Sequence, residues 1–177
     1  YEALNEEGTL FRATKIAEVP ATSHINSQGF EKTQLIAGGK EEILIAGNGN
    51  IYCISIPEKD AEFEKWKVQL VASNTSDEGI GTGDIDGDGD LDIAAGRRPE
   101  GEGEPKILVW FEQPDEWGKA WKDRVIGKSE HPIDRVEIAD LNGDGRSDVI
   151  ATEERYPGLE PDGHLLWFEQ NENEWQK

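Results

Sequence analysis

The sequence predicts an all-β fold assembled from repeated four-stranded units, and three observations carry that prediction. Short runs rich in β-branched and aromatic residues are closed off by Gly, Asp and Asn, the ordinary boundaries of strands. Between them no segment shows the 3.6-residue apolar period of an amphipathic helix. Third, the chain repeats itself: Asp84-Ile85-Asp86-Gly87-Asp88-Gly89-Asp90-Leu91-Asp92 returns as Asp140-Leu141-Asn142-Gly143-Asp144-Gly145-Arg146-Ser147-Asp148. The strand that follows each also returns, as Ile107-Leu108-Val109-Trp110-Phe111-Glu112-Gln113 and then Leu165-Leu166-Trp167-Phe168-Glu169-Gln170.

Taken in order, residues 1–29 form an N-terminal segment in which 10–17 read as the outer strand of a preceding unit, with Phe11 standing where Trp121 stands later. Residues 30–78 are an eroded copy. Ile43-Leu44-Ile45-Ala46-Gly47 matches the strand after each Asp-rich loop, and Trp66-Lys67-Val68-Gln69-Leu70-Val71 matches Trp121-Lys122-Asp123-Arg124-Val125-Ile126. Its loop, Ala37-Gly38-Gly39-Lys40-Glu41-Glu42, has lost the aspartates, so it is not expected to hold a cation. Residues 79–130 are the full copy, with strands expected near 79–84, 91–95, 106–112 and 121–127. Residues 131–177 repeat it with an incomplete outer strand. Four strands in a period of roughly 50 residues are the mark of a β-propeller blade, so the expected architecture is about three blades of a partial or open propeller.

The two Asp-rich loops are hard-cation traps. Calcium takes six to eight oxygen ligands, and alternate side chains can converge on it only if a Gly near the sixth position lets the chain turn. Gly89 and Gly145 sit there. The expected side-chain ligands are Asp84, Asp86, Asp88 and Asp92 in one loop and Asp140, Asn142, Asp144 and Asp148 in the other. Asp90 and Arg146, opposite in charge at the seventh position, fit if they give a backbone carbonyl. The plainer reading, acidic turns without metal, leaves the repulsion among closely spaced carboxylates unrelieved. An EF-hand is excluded, because its twelfth position needs a bidentate Glu and here holds Ala95 or Ala151; a dockerin module fails for the same reason.

These residues resemble the FG-GAP repeat, also called the VCBS repeat, of integrin alpha-subunit propellers and many secreted bacterial proteins. The resemblance covers residues from about 30 to 177. It implies a calcium-binding propeller with two Ca2+ sites at the residues named. The Trp-Phe-Glu-Gln strand is similar to bacterial and fungal members whose propellers accompany carbohydrate-active domains. Three blades do not close a ring, since propellers have four or more. Further blades, from the same longer chain or by self-association, are therefore expected partners.

Composition bounds the function. With 38 acidic against 18 basic residues and a net charge of −20, nucleic acid and anionic membrane are not expected partners, because both require a positive surface. No apolar run reaches the ~20 residues of a membrane-spanning helix. No leader is visible and the chain begins at Tyr1, so a mature product or a fragment is expected. The lone Cys53 reads as an inert core thiol, and the sequon at Asn74 matters only in a glycosylating secretory setting.

Candidate binding residues outside the loops are few. Trp110 and Trp167 recur at equivalent places and read as blade packing, whereas Trp117, in a turn, could equally stack a sugar. The long loops 97–106 and 153–163 carry Arg97, Arg98, Arg155, Tyr156 and His164, and variable loops on a rigid scaffold are where binding sites sit. His24 and His131 have no sequence partner, and no catalytic motif is present. The expected role is a secreted or extracellular module (cell surface or periplasm included) that binds or scaffolds, with glycan or extracellular protein as candidate ligands. The alternative is a propeller segment of a carbohydrate-active enzyme such as a polysaccharide lyase or sugar dehydratase.

Overall fold

The computed structural model describes residues 2–20, 29–59, 61, 64–98, 101, 103–153, 164–172 and 174–177. All regular structure among them is β. A short hairpin, β1 (Glu2–Ala3) with β2 (Phe11–Arg12), precedes three four-stranded antiparallel sheets. The first blade holds β3 (Phe30–Thr33), β4 (Glu42–Ala46), β5 (Asn50–Ser55) and β6 (Lys67–Ser73). The second holds β7 (Thr75–Gly83), β8 (Asp92–Arg97), β9 (Lys106–Glu112) and β10 (Lys122–Ser129). In the third are β11 (Ile133–Ala139), β12 (Asp148–Glu153), β13 (Leu165–Gln170) and β14 (Trp175–Gln176). Each sheet is a simple meander in chain order, as expected for a blade.

Two boundaries differ from expectation for identifiable reasons. The second blade begins at Thr75 and not near 79, because Asn74 adopts a left-handed φ of 62° and turns the chain from β6 into β7 within one residue. At the N-terminus, residues 10–17 do not form one strand: only Phe11–Arg12 is extended and paired, and its partner is Glu2–Ala3. The first blade also carries a tight turn at Asn48-Gly49. Both residues have positive φ (50° and 77°), and Gly47 and Asn50 exchange backbone hydrogen bonds of 2.9 and 3.2 Å, the geometry of a two-residue hairpin. Longer loops replace it in the other two blades.

The blades stack through two apolar layers. One joins Leu44, Ala46, Ile51 and Cys53 of the first blade to Ile80, Ile93, Ala95, Val109 and Phe111 of the second. The other joins Ile85, Ala94, Leu108 and Trp110 of the second to Val136, Val149, Leu166 and Phe168 of the third. Alternate residues of each strand thus serve opposite neighbours, as the two-residue period of a strand requires. Between β7 and β11 the backbones themselves approach. A side chain at Gly81 would meet the Val136 carbonyl oxygen at 2.8 Å, and one at Gly83 would meet Ile138 Cγ2 at 2.5 Å, so the Gly79-Ile80-Gly81-Thr82-Gly83 run is what lets two inner strands pack side by side.

Candidate metal loops

Each Asp-rich loop joins the first strand of its blade to the second, and its shape is built by its own side chains. In the first loop Asp84 accepts hydrogen bonds from the backbone N–H of Gly87 (2.7 Å) and Gly89 (3.1 Å). Asp86 accepts from Asp88 N (3.3 Å) and Asp88 from Asp90 N (2.9 Å). The second loop copies this: Asp140 accepts from Gly143 N (2.7 Å) and Gly145 N (2.9 Å), Asn142 from Asp144 N (2.9 Å), and Asp144 from Arg146 N (2.9 Å). Such local side-chain-to-backbone bonds are why Asp and Asn favour tight loops. Two glycines per loop make the path possible, Gly87 and Gly89 at φ 80° and 97°, Gly143 and Gly145 at 78° and 86°, a region costly for any residue with a Cβ. Sequence reasoning had singled out only the later one of each pair.

The ninth-position carboxylates have a further role that the sequence reading missed. Asp92 is buried, and its two oxygens accept from Ile85 N at 3.0 Å and from Gln113 N, at the end of β9, at 2.9 Å. Asp148 does the same for Leu141 N (3.3 Å) and Gln170 N (2.9 Å). In the eroded first blade the place is taken by Glu42, which accepts from Leu35 N (3.0 Å) and Ile36 N (3.1 Å). Glu42 thus keeps the hold on the loop entry where the aspartates are gone, without the bond to the end of the third strand. The sequence signal of this hold is an acid at the first position of the second strand in all three copies.

The two loops differ in charge balance. Oxygens of Asp84, Asp86 and Asp88 all lie within 4.8 Å of one another, a group able to hold a metal ion. Burial, reinforced by the Asp88 charge, raises the Asp86 carboxyl above its ordinary value. Burial also pushes Asp92 up, to about 6, against the two backbone hydrogen bonds that lower it. Carboxylates so placed favour either a proton or a cation. In the second loop part of that demand is met from within. Arg146 pairs with Asp144 and donates from Nε to the Gln170 carbonyl at 2.9 Å. The Asn142 amide donates to Asp144 at 3.1 Å and to Glu169 at 2.9 Å. Backbone N–H groups hold Asp140 below the usual carboxylate range.

The remaining sequence candidates fall into place around this frame. Trp110 is buried between blades with the Arg124 guanidinium 5.5 Å from its ring centre, while Trp167 is exposed. Trp117 meets Trp121 edge-on at 6.2 Å and donates to Gln69 at 3.2 Å, so its ring is engaged in packing between blades. Cys53 is fully buried and its thiol is pushed up to about 12, chiefly by burial, which makes it unreactive at neutral pH.

Arg97, at the end of β8 away from the Asp loop, pairs with Asp123 near the start of β10. His131 is half-buried, and its carbonyl accepts from Ser129 at 2.8 Å. His164 lies 2.8 Å from Glu153. Arg155, Tyr156 and His24 lie outside the described residues. Sequence reasoning missed the buried acids at this end: Asp77 and Glu78, at the start of β7, are both buried, and Asp77 accepts from Gly49 N at 2.6 Å.

Residues 39–95 match the family model of the FG-GAP-like repeat. The match runs from the Asp-free loop of the first blade through the Asp84–Asp92 loop into β8, so the chain carries an FG-GAP-like repeat in a fold of propeller-type blades. Neither a curated protein nor a solved structure matches. No helix among the described residues is long and apolar enough to cross a membrane.

Proposed function

We propose that this chain is a calcium-stabilised extracellular β-propeller module whose role is binding or scaffolding, with calcium acting as a structural staple. The observation that carries the reading is the grouping of Asp84, Asp86 and Asp88, with carboxylate oxygens within 4.8 Å of one another, in a loop already folded by hydrogen bonds to those side chains. A carboxylate oxygen has two lone pairs, so an oxygen that accepts an N–H can still take a cation. The ligand set is then Asp84, Asp86, Asp88, the Asp90 carbonyl and the Asp92 carboxylate. Its counterpart is Asp140, Asn142, Asp144, the Arg146 carbonyl and Asp148. The second site binds more weakly, because Arg146 and the Asn142 amide already offset Asp144. Solvent-exposed loops of this kind suit extracellular modules, whose calcium dissociation constants run to about 10⁻⁴–10⁻³ M.

Binding would fall to the loops at the opposite blade end, with glycan or extracellular protein as the ligand class. Calorimetric titration of the chelator-stripped chain with calcium tests the metal assignment. Saturable uptake that is abolished at the tighter site by Asp86→Ala is expected. Absence of uptake at millimolar calcium would sink it.

A further inference from the structure

The two Asp-rich loops are tied to each other by hydrogen bonds that cross the junction between the second and third blades. Ser147, between Arg146 and Asp148 of the second loop, donates from Oγ to the Asp84 carbonyl at 2.6 Å. Gln170, at the end of β13, donates from Nε2 to the Ile85 carbonyl at 3.0 Å. Both acceptors lie in the stretch that presents Asp84 and Asp86, the first two carboxylates of the first loop.

Gln170 is in turn held by the second loop. Its N–H is taken by Asp148 and its carbonyl by Arg146 Nε, each at 2.9 Å. On the receiving side Ile85 is held at both its polar groups, the N–H by Asp92 at 3.0 Å and the carbonyl by Gln170. A hydrogen-bonded path therefore runs from Asp148 through Gln170 and Ile85 to Asp92, joining the ninth positions of the two loops.

The Ser147 bond has no counterpart at the neighbouring junction. There its place is taken by Leu91, which packs against the apolar layer between the first and second blades. Gln113 stands where Gln170 does, and its Oε1 is buried without a partner. The first-blade loop bonds to itself instead: Gln34, at the position of Asp84, donates to the carbonyls of Ile36 at 2.6 Å and Gly38 at 3.1 Å. The polar tie through Ser147 thus falls at the junction where both loops carry the aspartate pattern.

We infer that the two loops are coupled, so that calcium in either raises the affinity of the other, with Ser147 and Gln170 as the positioning residues that transmit the effect. This deepens the calcium reading proposed above and rests on it. A cation in the second loop fixes the segment from Arg146 to Asp148, and with it the donors that hold the Asp84 and Ile85 carbonyls. Part of the ordering cost of the first site is then met before its own cation arrives, the condition for positive cooperativity. Two bound dications repel each other. Asp86, Asp88, Asn142 and Asp144 are solvent-exposed, however, and charge effects through water are screened over about 8 Å at physiological ionic strength.

Calcium titration of the full chain tests the inference, by calorimetry and with the amide resonances of Gly89 and Gly145 as separate reporters of the two loops. Asp144→Ala, which alters the second loop alone, should weaken calcium at the first loop about fivefold or more. Asp86→Ala should weaken the second loop by the same factor, because coupling between binding sites is reciprocal. In a chain carrying Ser147→Ala and Gln170→Ala both loops should still take up calcium, but adding Asp144→Ala there should change the first loop less than about twofold. Ser147→Ala alone should give an intermediate factor.

First-loop affinity that is unchanged or raised by Asp144→Ala overturns the coupling alone, since that loop still binds. Unequal factors in the two directions mean local damage and overturn it too. A purely structural role for Ser147 and Gln170 would weaken both loops and leave the factor as it was, which also overturns the inference. Absence of uptake at either loop at millimolar calcium overturns the coupling and the calcium reading together.

Discussion

Asp92 accepts one hydrogen bond from Ile85 N and another from Gln113 N, so a single buried carboxylate fastens the entry of the Asp-rich loop to the exit of the third strand. Removing it leaves two backbone donors without partners in a dry place, at about 1–3 kcal/mol each. Asp92→Ala should therefore cost about 3 kcal/mol or more in urea unfolding with calcium chelated, when no metal contributes. Asp90→Ala, which leaves the backbone carbonyl in place, should change stability by less than about 0.5 kcal/mol. Equal effects from the two would contradict the anchoring role.

The close approach of β7 and β11 makes a second prediction. A Cβ at Gly81 would stand 2.8 Å from the Val136 carbonyl, which backbone cannot evade cheaply. Gly81→Val should destabilise by about 2 kcal/mol or more, at the upper end of overpacking costs, despite the higher strand propensity of Val. A neutral or stabilising outcome in chemical denaturation would mean that the inner strands are not packed as described.

Trp110 and Trp167 occupy the same register position in successive blades, yet one is buried and the other exposed. In dilute solution Trp110→Ala should cost about 3–5 kcal/mol, the range for deleting a buried aromatic side chain. Trp167→Ala should cost about 1 kcal/mol or less. Comparable losses would show that the two faces are not differently covered.

Glu153 sets an acid limit at the other end of the third blade. Burial alone would raise its carboxyl, but Ser129, the backbone N–H groups of Glu130 and His131, and His164 together hold it below its ordinary value of 4.5. A carboxylate lowered in the folded state contributes stability above the unfolded value, and that contribution is lost as pH falls through the folded one. Glu153→Gln should lower stability at pH 7 by about 1–3 kcal/mol. The gap from the parent chain should shrink steadily below about pH 4.5. A gap constant from pH 7 to pH 3 would contradict this.

The repeat, the four-strand period and the donor spacing of the two loops were readable because each is a local pattern, set by strand alternation and by the bonding habits of Asp and Gly. What escaped reading depends on distant partners. Asp92 and Asp148 looked like ligands alone, since nothing near them in sequence announces the N–H of Gln113 or Gln170. Gly81 and Gly83 looked like ordinary strand residues until β11 was placed against them. Likewise Trp110 and Trp167, alike in sequence, differ only in whether a third sheet lies on top, and the burial of Asp77 and Glu78 follows from a turn at Asn74 that propensity alone does not fix.

The central claim is that a cation held at Asp84, Asp86 and Asp88 staples the blade, and thermal unfolding with and without calcium tests it most directly. A ligand bound only by the folded state stabilises it by RT ln(1 + [L]/Kd), about 2.7 kcal/mol at a hundredfold excess over Kd. The melting temperature should rise by several degrees from excess chelator to saturating calcium, with most of the rise lost in Asp86→Ala. Superimposable melting curves in chelator and in calcium would contradict it.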